Sequence, residues 1–187
     1  MGFRICFLGA KASPAQVLNA FGLSAEQLCS EMPQEEWWVA QIKSSGWTVL
    51  WSEEETFGQT KLAEIEAFSE DHDICLCEIN ETTMWSSATF WRGGTELWRV
   101  THAGDGDDIF QIEATGDLPD TYEMRRSALF NEQRGETGVD FVFEIPVELI
   151  EELIGFRYDS YLEASEVDQF HCLNVPVKQS LLRRLFC

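Results

Sequence analysis

Apolar and polar positions along this chain alternate in blocks that spell out an order of strands and helices. Residues 3–9 form an apolar run suited to a buried first strand. Ser13-Pro14-Ala15-Gln16 then supplies a helix start: Ser13 as N-cap, Pro14 at the first helical position and Gln16 as capping-box partner. Val17, Leu18 and Phe21 make the buried face of that helix, and Gly22 its stop. Ser24 to Gln27 repeats the capping pattern and predicts a second short helix that ends near Met32-Pro33. Trp37 to Ile42 and Trp47 to Trp51 read as two strands of a hairpin turned at Ser44-Ser45-Gly46. A helix over 59–69 follows, with Leu62, Ile65 and Phe68 on one face.

Asp73 to Glu81 reads as a strand, and the strongest local signal comes next. Gly93-Gly94 separates two β-rich runs, Met84 to Trp91 and Glu96 to His102, which predicts a two-residue hairpin turn. Pairing Arg92 with Thr95 puts Phe90 opposite Leu97 and Trp85 opposite His102. One face then carries Trp85, Thr89, Trp91, Trp98 and Val100, and the other Met84, Ala88, Phe90 and Leu97. Both faces are apolar, as in a central hairpin covered on both sides. Residues 109–114 continue the meander, a helix runs from Asp117-Leu118-Pro119 to about Arg134, and Val139 to Ile145 reads as a strand. Pro146 opens a helix to Ile154, stopped by Gly155. Beyond Tyr158 the pattern weakens until Ser180 to Phe186, an amphipathic helix.

This order predicts an α+β fold with a mostly antiparallel sheet, a meander with a central hairpin flanked by helices. The division expected is an α+β core domain over 1–158 and a C-terminal extension over 159–187, packed on that core.

Charge changes the picture most. The chain has 33 acidic against 13 basic side chains in 187 residues, a formal net charge of −20. Such a chain has no phosphate-binding surface, so direct nucleic-acid binding is excluded, and a basic protein becomes the natural partner. The acids are unevenly placed: residues 53–81 hold ten of them against Lys61 alone. Glu53-Glu54-Glu55 and Asp105, Asp107 and Asp108 fall in expected loops, and Glu70, Asp71 and Asp73 at a helix exit, where negative charge opposes the helix dipole. These nine acids, with Trp37 as an aromatic anchor, are the candidate partner-binding residues. A solvated acidic face kept for solubility is the bland alternative.

Catalytic and metal signatures are missing. His72, His102 and His171 do not fall in a metal-ligand spacing, and Cys75-x-Cys77 lacks a second pair, so no metal and no cofactor is expected. Asp105 to Asp108 lacks the glycine and glutamate that a calcium loop needs. No nucleophile elbow and no phosphate-binding loop exist, so the chain is not read as an enzyme. His102 is expected to be a packed or capping histidine. The opening residues read as a strand rather than a secretory leader, and no apolar stretch reaches 18 residues. Six scattered cysteines (6, 29, 75, 77, 172 and 187) then read as reduced thiols in a cytoplasmic protein without membrane contact.

Two resemblances add to these expectations. Trp85-Ser-Ser-Ala-Thr-Phe-Trp91 and Leu97-Trp-Arg-Val-Thr-His102, with Val147-Glu-Leu and Gly155-Phe-Arg-Tyr158, resemble a set of uncharacterised bacterial proteins, which implies no activity. In its small, acidic, motif-free character the chain is similar to the immunity proteins of bacterial toxin–immunity pairs. That similarity implies an inhibitor that blocks a basic nuclease-type toxin. The competing expectation is a small-ligand module or enzyme with a pocket at the Trp-rich sheet.

Overall fold

A computed structural model describes residues 2–34, 37–104 and 108–173. Among them are nine strands and five helices: β1 (Arg4–Ala10), α1 (Pro14–Phe21), β2 (Ala25–Cys29), β3 (Trp38–Gln41), β4 (Thr48–Ser52), α2 (Phe57–Thr60), α3 (Leu62–Phe68), β5 (Ile74–Asn80), β6 (Trp85–Arg92), β7 (Thr95–Ala103), β8 (Ile112–Gly116), α4 (Tyr122–Gln133), α5 (Glu144–Ile154) and β9 (Phe170–Leu173). The strands form a single antiparallel sheet in the order β2-β9-β3-β4-β1-β5-β6-β7-β8. The fold is α+β. No helix among the described residues is long and apolar enough to cross a membrane.

Strand alternation sends side chains to two cores. Ile5 and Phe7 of β1 join Trp38, Trp51, Cys77, Phe90 and Trp98 beneath α4 and α5, which contribute Leu129, Ile145, Leu149 and Ile154. Cys6 and Leu8 point the other way, to Val17 and Phe21 of α1, Phe57 of α2 and Ile65 of α3. The central strands are therefore apolar on both faces. The α1 signals act as expected: Ser13 and Gln16 form a reciprocal capping box, and Gly22 closes the helix at φ 65°.

Five expectations need correction. Residues 25–29 are the edge strand β2, not a helix: pairing with β9 outweighs a local capping signal that no apolar stripe supports. Val139 to Phe143 is a helix entry rather than a strand. The Asp140 Oδ1 atom accepts from the Val142 and Phe143 amides, both at 3.1 Å, and α5 begins at Glu144 with Pro146 in its first turn. The hairpin register carries a bulge: Trp91 pairs with Glu96 but Phe90 with Trp98, so Leu97 is the extra residue. Trp98 and Val100 thereby move to the face of Phe90 and Ala88, and Trp85 lies opposite Ala103 rather than His102. Cys29 and Cys172 are disulfide-bonded between β2 and β9, while Cys6, Cys75 and Cys77 are free and buried. Finally, Phe170–Leu173 of the expected extension forms β9, paired on both sides within the sheet. The expected helix over 180–186 lies outside the described residues.

Candidate functional site

Three aromatic rings stand side by side across β3, β4 and β1. Trp38 stacks on Trp51 at 6.0 Å between centroids and Trp51 on Phe7 at 6.3 Å, both within 7° of parallel. These are the cross-strand partners of the register, which is why they meet. Phe156, just past α5, meets all three rings edge-on. The Trp38 indole Nε1 is the one fully buried side-chain polar atom among the described residues without a hydrogen-bond partner.

Beside this ladder, at the end of the sheet where β1 begins and β4 ends, a cleft of about 900 Å³ opens. Phe3, Trp51, Tyr158 and Tyr161 supply its aromatic walls, and Glu53 and Asp159 its carboxylates. Glu81 sets the wall geometry. Its Oε2 atom accepts from the Phe3 amide at 2.7 Å and its Oε1 from the Tyr158 hydroxyl at 2.8 Å. The Phe3 ring then sits edge-on to Tyr158 at 5.3 Å and to Trp51 at 6.4 Å. Burial, and then the bond to Glu81, push the Tyr158 phenol well above its usual range.

Carboxylates outnumber guanidinium groups around the cleft. Arg157 donates to Glu144 at 2.6 Å and to Asp159 at 2.7 Å, and lies 3.6 Å from Glu151. Arg4 donates twice to Glu55, which also accepts from Asn80. With Glu53 and Glu81, six carboxylates face two guanidinium groups. Burial raises the Glu144 pKa, and the Arg157 hydrogen bond only partly offsets it.

Among the proposed contact residues, Glu53 lines this cleft, Glu54 and Glu55 follow it in the β4–α2 loop, and Trp37 packs against Phe57 at 5.4 Å on the α1–α3 face. Glu70, Asp71 and Asp73 lie at the opposite end of the sheet, about 20 Å away along β1. Asp73 is held there by Arg92 at 2.6 and 2.5 Å, which keeps its carboxyl below the ordinary range. Asp108 accepts from the Phe110 amide in the β7–β8 connection. Asp105 and Asp107 lie outside the described residues. Among the described residues the candidate acids therefore do not form one patch, and the group at 53–55 is the one beside the aromatic cleft.

Among the other buried titratable groups are His102 and Glu78. His102 has Nε2 2.9 Å from Asp140 and Nδ1 2.7 Å from the Gln111 carbonyl, so both ring nitrogens are engaged. Ser86 stands opposite His102 across the strands, but its hydroxyl donates to the Phe143 carbonyl at 2.7 Å. Ser86 and His102 are fully buried, and their bonds fasten the segments around Phe143, Gln111 and Asp140 to the sheet. Glu78, on the other face of β5, lies beneath α2: a Cβ on Gly58 would stand 3.2 Å from its Oε1. Burial pushes its pKa up to about 7 against the pull of Arg99. Among the described residues no group of three or more His, Cys, Asp or Glu side chains is placed to hold a metal ion.

Phe3, Glu81, Tyr158, Asp159 and Tyr161 escaped the sequence reading. Glu81 and Tyr158 are 77 positions apart, and no local spacing marks them. No family model, no curated protein and no solved structure matches this chain.

Proposed function

We propose that this chain binds and neutralises a basic protein, in the manner of an immunity protein that blocks a nuclease-type toxin, and does no chemistry of its own. The supporting observation is the aromatic cleft set among six carboxylates and two guanidinium groups. A nuclease carries cationic surface for phosphate; an acidic protein covers that surface, associates fast through steering, and shuts the substrate out. Aromatic side chains beside the acids supply the anchoring area that charge alone lacks. A cytoplasmic setting goes with this proposal, although the Cys29–Cys172 bond weighs against it, because cytosolic reductants keep most thiols reduced.

The test is affinity capture at low and high salt, followed by titration of the purified partner with this chain. A partner of basic isoelectric point, released by salt and losing nuclease activity in the complex, supports the proposal. Capture of neutral or acidic partners only, with salt-independent binding, contradicts it. The cleft volume also suits a small ligand. That second reading, a ligand-binding module or enzyme at the Trp-rich sheet, expects a rise in melting temperature with a neutral small molecule.

A further inference from the structure

We infer that the cleft between Phe3, Trp51, Tyr158 and Tyr161 is an arginine socket: it takes one arginine side chain of the basic partner, with the guanidinium over an aromatic face and its N–H groups on a carboxylate. The inference rests on the proposed function and names the chemistry by which it works.

Three observations carry it. First, the walls are aromatic, and ring faces attract cations more strongly where water is partly excluded. Second, Glu53 and Asp159 line the cleft together with Arg4; Glu55 and Glu81 bond to its lining residues, and Glu144 and Glu151 lie behind Asp159 on Arg157. Six carboxylates against two guanidinium groups make charge complementarity select a cation over a neutral ligand. Third, the protein already uses this mode on the same wall. The Arg157 guanidinium lies 5.9 Å from the Tyr158 ring centroid while its Nε donates to Asp159 at 2.7 Å. A planar guanidinium can stack and pair at once, which an ammonium cannot match.

Phe3 and Tyr161 are 42% and 49% exposed, so truncating them takes little from the core. Phe3→Ala loses the edge-on ring contacts to Tyr158 and Trp51 but keeps the backbone bonds that hold residue 3: its amide donates to the Glu81 carboxylate and its carbonyl accepts from the Glu81 amide. Phe3→Ala and Tyr161→Ala therefore retain the fold, which a thermal melt checks.

The probe is the capped tripeptide acetyl-Gly-Arg-Gly-amide, titrated into the full chain by NMR, with the citrulline tripeptide as its neutral twin. The expected result is saturable binding with a Kd on the order of 1 mM. Shifts should be confined to residues 2–5, the Trp51 indole and residues 158–161, with no saturation by citrulline. Each alanine variant should bind about fivefold more weakly. Equal binding of citrulline, shifts elsewhere, unchanged affinity in both variants, or no binding would overturn the inference. If the tripeptide fails while the captured basic partner still binds wild type and both variants equally, the socket is wrong and the proposed function stands. If no basic protein binds wild type, the proposed function itself falls.

Discussion

Tyr158 donates its hydroxyl hydrogen to Glu81 at 2.8 Å, and through that bond the loop after α5 is tied to the turn after β5. The same carboxylate receives the Phe3 amide, so one side chain positions two walls of the cleft. Removing the donor leaves Glu81 partly unsatisfied in a half-buried place. Tyr158→Phe should lower stability by about 1 kcal/mol, read as a reduced urea midpoint with an unchanged slope. An unchanged midpoint would show that the bond does not hold the wall.

Glu78 makes stability depend on pH. Its ordinary pKa is 4.5 and burial raises it to about 7, so the folded state keeps a proton that the unfolded chain has released. Its stabilising effect is complete below about pH 4.5 and is lost as pH rises to about 7. Glu78→Gln should therefore be more stable than wild type at pH 8, by roughly 2–3 kcal/mol, and should match it near pH 4. Chemical denaturation at the two pH values reads this directly. Equal gains at both would assign the effect to packing.

The Cys29–Cys172 bond closes a separation of 143 residues and ties the edge strand β2 to β9. Long closed loops give the largest constraint on the unfolded chain. Cys29→Ser with Cys172→Ser, or a thiol reductant, should cost about 4 kcal/mol. Amide exchange should accelerate first in β2, whose residues are mostly exposed. A melt insensitive to reductant would contradict this.

Asp140 serves two tasks, receiving His102 and capping the start of α5. Asp140→Ala leaves a buried ring nitrogen and two amides without partners, and should cost about 3 kcal/mol. Asp140→Asn retains an amide oxygen for the cap and should cost far less. Thermal unfolding of the two variants separates these roles, and equal losses would refute the division.

The strand and helix order was legible where a local signal agreed with the pairing of the sheet. The Ser13–Gln16 capping box, the Gly93-Gly94 turn and the Gly155 stop each act through neighbours in sequence. Features fixed by distant partners were not legible. Ala25–Cys29 carries a capping pattern yet pairs with residues 170–173, and the Leu97 bulge follows from packing Trp98 on Phe90, 5.8 Å away. The site was legible in its charge but not in its place. Composition marked Glu53–Glu55 and Glu70–Asp73 equally, while the sheet sends them to opposite ends. Asp159 and Tyr161 lie in a stretch without pattern, and Phe3 looked like any strand residue.

The most direct test of the account is hydrogen-exchange footprinting of this chain with its basic partner bound. Slowed exchange over residues 2–5, 51–55 and 157–161, reversed by salt, is the expected result. Protection confined to residues 70–73, or to neither acidic end, would contradict the claim that a cationic partner docks at the aromatic cleft.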